Sequence, residues 1–121
     1  MQSRREEVYE LLTDAIGNNA SVCYAYPDED AQYPCVSYYE NGNSDWERAD
    51  AEEYLTELTY QVDVWTRDIL QADTLTALID AGFSDIGWKR QICYDIPEPG
   101  LCHRTMRFRA LIGPDDMVYQ A

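Results

Sequence analysis

The stretch Leu58-Thr59-Tyr60-Gln61-Val62-Asp63-Val64-Trp65-Thr66 decides the fold. Leu58, Tyr60, Val62 and Val64 alternate strictly with Thr59, Gln61, Asp63 and Trp65, a period of two that marks a strand with one buried face. Upstream, Tyr33-Pro34-Cys35-Val36-Ser37-Tyr38-Tyr39-Glu40 reads as a second strand. Pro34 has no N–H to give a ladder, so it opens that strand rather than sitting inside it. Downstream, Leu101-Cys102-His103-Arg104-Thr105-Met106-Arg107-Phe108-Arg109 carries its own alternation. Met106, Phe108, Ala110 and Ile112 point one way, and His103, Thr105, Arg107 and Arg109 the other.

Helical periods flank these strands. Over residues 3–16, Ser3 and Glu6 form a capping box, Val8, Leu11, Leu12, Ala15 and Ile16 make one apolar face, and Gly17 supplies the stop. Arg4 and Arg5 stand at the positive end of this helix, where a cation calls for a carboxylate beside it. After Arg67 the period changes again. Asp68 caps a second helix with the stripe Ile69, Ala72, Leu75, Leu78 and Ile79, ended by Gly82 with Phe83 folding back on Leu78. Residues 21–26 form a short strand before Pro27, and residues 86–95 and 102–112 a hairpin around 96–101. Residues 41–53 read as a long acidic loop joining two antiparallel strands, because Asn41-Gly42-Asn43-Ser44-Asp45 is turn chemistry. Trp46 within it is either folded onto the core or offered to a partner. Residues 113–121 form a short tail, either disordered or docked through Met117, Val118 and Tyr119.

The expected fold is one α+β domain spanning 1–121, in the order α-β-β-β-α-β-β. Its antiparallel sheet has four or five strands, and its two helices pack on one face. The other face would show Thr59, Gln61, Asp63, Trp65, Thr105, Arg107 and Arg109.

At 121 residues the chain suffices for one real core without staples. No apolar run reaches the ~20 residues of a membrane span, and the Met1-Gln2-Ser3-Arg4-Arg5 start has no apolar signal region, so the protein is expected to remain where it is made. A net charge of −14 argues against a nucleic-acid binder, which needs a basic stripe. The acids crowd between Asp28 and Glu57, where Asp45, Glu47, Asp50, Glu52 and Glu53 are opposed only by Arg48. Four cysteines without a close-spaced pair point to buried thiols rather than a zinc site. Cys93 and Cys102 flank the hairpin loop and could bridge under oxidising conditions, but a disulfide between them is not expected in a cytoplasm.

The chemistry of catalysis has no motif here: there is no G-x-S-x-G, P-loop or H-E-x-x-H. His103 and Cys102 are adjacent on a strand and therefore face opposite ways, which separates a base from its nucleophile. Arg104, Arg107 and Arg109 could hold a phosphate, but Glu57 and Asp63 on the neighbouring strand suit them to cross-strand ion pairs. Neither a cofactor nor a metal is expected, and the chain does not read as an enzyme.

In order and spacing, the proline-opened strand at Tyr33–Glu40, the central strand at Leu58–Thr66, the helix closing on Ala81-Gly82-Phe83 and the final strand at Leu101–Arg109 resemble the tail terminator, or tail completion, proteins of long-tailed bacteriophages. Cys102 stands where an aromatic is usual in that family. The resemblance covers residues 8–111. It implies a structural virion protein, assembled in the host cytoplasm, that forms a ring, typically a hexamer, at the head-proximal end of the tail. The ring stops tail-tube polymerisation and presents the surface for head joining. Implied partners are further copies of itself, the tube protein and a head connector, with DNA passing through unbound and no membrane involved.

On that reading Asp63, Trp65, Arg107, Arg109 and Trp46 are expected at subunit contacts, and Asp45, Glu47, Asp50, Glu52 and Glu53 at an acidic bore or rim, since basic walls would retain DNA. The strand Tyr54–Thr66 is equally suited to edge-to-edge pairing across subunits. The rival reading is an acidic inhibitory module whose carboxylates mimic DNA phosphates.

Overall fold

The computed structural model describes residues 4–47, 54–113 and 116–118, with the backbone alone placed at 45–47 and 54. Two helices, α1 (Arg5–Ile16) and α2 (Ile69–Asp85), accompany five strands: β1 (Ser21–Tyr24), β2 (Cys35–Glu47), β3 (Tyr54–Thr66), β4 (Lys89–Glu98) and β5 (Leu101–Ile112). The element order is the expected α-β-β-β-α-β-β. The sheet runs β1-β2-β3-β5-β4, so β3 lies at its centre, hydrogen-bonded to β2 on one side and β5 on the other. A strand paired on both sides has no free edge, which removes Tyr54–Thr66 from any edge-to-edge contact.

The buried residues explain the layering. Val8, Leu12 and Ile16 of α1 and Ala72, Leu75, Ile79 and Phe83 of α2 meet the inward set Val36, Leu58, Tyr60, Val62, Val64, Met106 and Phe108. At the centre Phe83 stacks on Phe108 with ring centroids 4.0 Å apart, and Trp88 meets Phe83 edge-on at 5.5 Å. Asp68 caps α2 as expected, its carboxylate accepting the Leu70 N–H at 3.0 Å. Arg104 is on the helix-covered side, where it binds Asp73 of α2 at 2.7 Å and Asp95 of β4 at 2.8 Å. These carboxylates, Asp95 foremost, hold its guanidinium pKa above the usual arginine value. Arg104 therefore belongs to the seam between α2 and the sheet, not to a phosphate-binding trio with Arg107 and Arg109.

Several sequence expectations are corrected. The sheet is mixed: β1 runs parallel to β2, with Ser21 opposite Cys35 and Tyr24 opposite Tyr38, because residues 25–34 carry the chain back along the sheet before β2 begins. Residues 41–47 are strand, not loop. β2 pairs with β3 as far as Glu47 opposite Tyr54, and its ladder overrides the local turn chemistry, which survives as a register shift between Glu40 and Gly42. The rest of the expected loop, 48–53, lies outside the described residues.

Gly82 does not end α2; the helix continues to Asp85, and Gly87, at φ 85°, follows it in the left-handed region. Gly82 instead lets the helices approach, since a Cβ there would lie 3.3 Å from Ala15 Cβ and Leu11 Cδ2. Ile69 is exposed and Phe83 takes the buried place at the other end of the stripe. At the N-terminus, Ser3 lies outside the described residues; α1 begins at Arg5 with Arg4 as its cap residue and no side-chain cap bond. The carboxylates sought for Arg4 are Glu7 at 2.6 Å and Asp116 at 2.8 Å. Val118 bridges Ile112 and packs on the core, while Met117 is exposed.

The cysteines pair differently from expectation. Cys93 lies opposite Met106 and Cys102 opposite Pro97, several positions apart along the hairpin, which is too far for a bridge. The thiols that meet are Cys23 and Cys35, with sulfurs 3.4 Å apart on β1 and β2. Burial, reinforced by Cys35, pushes the Cys23 thiol up to about 12. At neutral pH, exposed Cys93 should therefore alkylate well before Cys23 and the buried Cys35. A stoichiometric thiol oxidant should then join Cys23 to Cys35 within one chain. Peptide mapping by mass spectrometry reads both outcomes, and a Cys93–Cys102 bridge would contradict the register.

Candidate functional site

Outside the helix-covered side, β2, β3, β5 and β4 together present a second face, built by every other residue of each strand. It carries Ser37 and Tyr39 from β2, Glu57 to Trp65 at odd positions from β3, His103 to Arg109 at odd positions from β5, and Ile92, Tyr94 and Ile96 from β4. Although no helix among the described residues lies over it, Ser37, Asp63, His103 and Thr105 on this face are buried, because their own neighbours cover them.

One half of the face is a closed polar cluster. The indole of Trp65 stacks on the imidazole of His103 with centroids 3.6 Å apart and planes at 15°, and its N–H donates to Ser37 Oγ at 3.0 Å. His103 Nε2 faces Asp63 Oδ1 at 3.1 Å, and His103 Nδ1 faces Glu98 Oε1 at 3.2 Å. The chemical consequence is restrictive. With each nitrogen facing a carboxylate and the ring pinned under Trp65, neither nitrogen of His103 is open to a substrate or a metal. Among the described residues, no three or more histidine, cysteine, aspartate or glutamate side chains gather in a way that could hold a metal ion.

The other half is more open. Gln61 donates to Thr105 Oγ1 at 2.6 Å, and Arg109 meets Glu57 of its own chain at 2.7 Å. Between them, opposite Gln61, stands Arg107, with no carboxylate at ion-pair distance among the described residues and with a buried Nε that has no hydrogen-bond partner. Near it, burial pushes the Tyr39 phenol up, with Arg107 acting in the opposite direction.

Of the residues singled out from the sequence, Asp63, Trp65, Arg107 and Arg109 share this face. The cross-strand pairing expected of Glu57 and Asp63 is met differently at each: Glu57 takes an arginine, whereas Asp63 takes His103. Trp46 and Asp45 stand on the far part of β2 opposite Leu55 and Thr56, and Glu47 opposite Tyr54. Asp50, Glu52 and Glu53 lie outside the described residues. Sequence reading passed over Ser37 and Glu98. The signal for Glu98 was present in Glu98-Pro99-Gly100-Leu101, a tight turn that returns β5 beside β4 and brings position 103 back to it.

No known family's profile matches the chain, and no curated protein matches its sequence. Solved structures do. A chain from the virion of a native gene transfer agent particle superposes with a TM-score of 0.60 at 15% identity, over 88% of this chain and 91% of that one. At that identity the likeness is one of fold, and it extends over nearly the whole of both chains. Among the described residues, no helix is long and apolar enough to cross a membrane.

Proposed function

We propose that this protein is a structural virion component that forms a ring at the head-proximal end of a phage-like tail, stops polymerisation of the tail tube and offers the surface to which the head joins. The observation that carries this reading is the fold shared, end to end, with a chain of a gene transfer agent virion. The closed His103 cluster adds to it, since the most enzyme-like constellation on the open face is occupied by its own side chains.

Within such a ring, the acids of the β2 arm and the segment beyond it would rim the passage. Asp45, Glu47, Asp50, Glu52 and Glu53 would let DNA slide by without adhering. The open sheet face would meet neighbouring subunits. Arg107, with an unpartnered Nε and no carboxylate at ion-pair distance among the described residues, is its anchor. Asp63, Trp65 and Arg109 shape the surface around it through contacts inside the chain, and Trp46 on the arm would be a further aromatic at the contact. The partners are other copies of the chain, the tube protein and a head connector.

Reversing the charge of Arg107 alone, as Arg107→Glu, is expected to block ring formation and reduce tail joining by at least about tenfold, since like charges brought together at an interface cost several kcal/mol. Arg109→Glu should do less to assembly, because it first breaks the pair with Glu57. Particle yield and ring content by negative-stain microscopy check this, and normal assembly of the Arg107→Glu protein would remove the open face from the interface.

A further inference from the structure

Two margins of the sheet end in backbone that has no strand beside it among the described residues. On its inner side β2 is paired with β3 along its length. On its outer side β1 covers only Cys35 to Tyr38, which leaves the edge open from Tyr39 to Glu47. At the opposite margin β4 pairs with β5 alone, and most of its side chains are exposed. Open edges are templates for another strand, and a fold that keeps two of them has either to blunt them or to use them.

We propose that β4 of one copy pairs antiparallel with the open part of β2 in the next, so that the sheet continues from subunit to subunit. The occupant of each edge is thus a second copy of this chain. The inference deepens the ring reading above and rests on it.

Direction and shape favour this pairing. β2 and β4 run in opposite senses within the sheet, because three antiparallel steps separate them. Copies set side by side in the same orientation therefore bring β2 against an antiparallel β4, a head-to-tail contact of the kind that closes rings. Each edge carries one register shift, at Asn41 in β2 and at Gln91 in β4, and setting Gly42, Asn43 and Ser44 opposite Tyr94, Cys93 and Ile92 keeps the two faces in step. Pro97, which has no N–H to give, then falls past the open edge, opposite Tyr38, where β1 already pairs.

With both shifts stepped over, Arg90 stands opposite Asp45 and Lys89 opposite Trp46, while Asp95, already bound by Arg104, comes opposite Glu40. The shape agrees as well. Tyr94, 54% exposed, lies on the open face and would fall opposite Gly42. Position 42 tolerates no side chain of its own, since a Cβ there would sit 2.7 Å from Thr59 Oγ1. An aromatic ring from the adjoining strand is a recognised cover for such an edge glycine.

The native thiol of Cys93 supplies the test. It would stand opposite Asn43 on the helix-covered side, so purified Asn43→Cys protein and particles carrying it should form disulfides between subunits under mild oxidation, seen as a ladder on non-reducing gels. Cys93→Ser should remove the ladder. Separately, Arg90→Glu should weaken self-association about tenfold, and Asp45→Arg in the same chain should restore it. Rings of the Asn43→Cys protein that form without a crosslink from position 43 to Cys93, and without charge-swap rescue, would overturn the strand pairing while leaving the ring intact. Absence of any ring, in solution and on particles, would overturn both.

Discussion

Asp63→Ala is expected to destabilise the domain by about 1–3 kcal/mol, the cost of leaving a buried hydrogen-bonding group without its partner. Asp63 and His103 are 3% and 8% exposed, and their contact of 3.1 Å lies beneath the Trp65 ring. The lost carboxylate strands His103 Nε2 and loosens the stack that holds Trp65 on Ser37. His103→Ala should be similarly costly, because it leaves Asp63 buried and unanswered. The double variant should cost clearly less than the sum of the two, since each single change already breaks the same bond. Urea unfolding followed by Trp fluorescence measures all three. Additive losses would mean that the cluster is a set of independent contacts and that the open face is not organised around His103.

This pattern bears on function through order rather than catalysis. A sheet face exposed on an isolated subunit has to keep its shape before a neighbour arrives, and polar side chains joined to one another lose less freedom on binding than side chains left mobile. The closed half of the face, from Ser37 through Trp65 and His103 to Glu98, is rigid by these contacts. The open half keeps Arg107 available.

Much of the fold was legible because period and face agree wherever one side of an element is buried. Leu58, Tyr60, Val62 and Val64 are all inside, as are Met106, Phe108, Ala110 and Ile112, and Asp68 caps α2. The misreadings share a cause. Turn-forming residues at 41–45 lie in a strand because β3 offers a partner for them, and Gly82 lies within a helix because α1 needs room beside it. Both are decisions of tertiary contact, invisible to a local window. The parallel course of β1 and the meeting of Cys23 with Cys35 depend on where residues 25–34 return the chain, and no spacing rule specifies that path. At the site, the alternation of β3 and β5 placed Asp63, Trp65, Arg107 and Arg109 on one face correctly. It did not say which would be satisfied within the chain, since that depends on register: a shift of two residues would have set Asp63 against Arg107 instead of within reach of His103.

The central claim is that the protein ends a tail and joins it to a head. Electron microscopy of particles assembled without it tests that claim most directly. The account predicts filled heads lying free beside tails of excessive and variable length, with normal joining restored when the intact chain is supplied. Full-length virions of uniform tail length, formed in its absence, would contradict it.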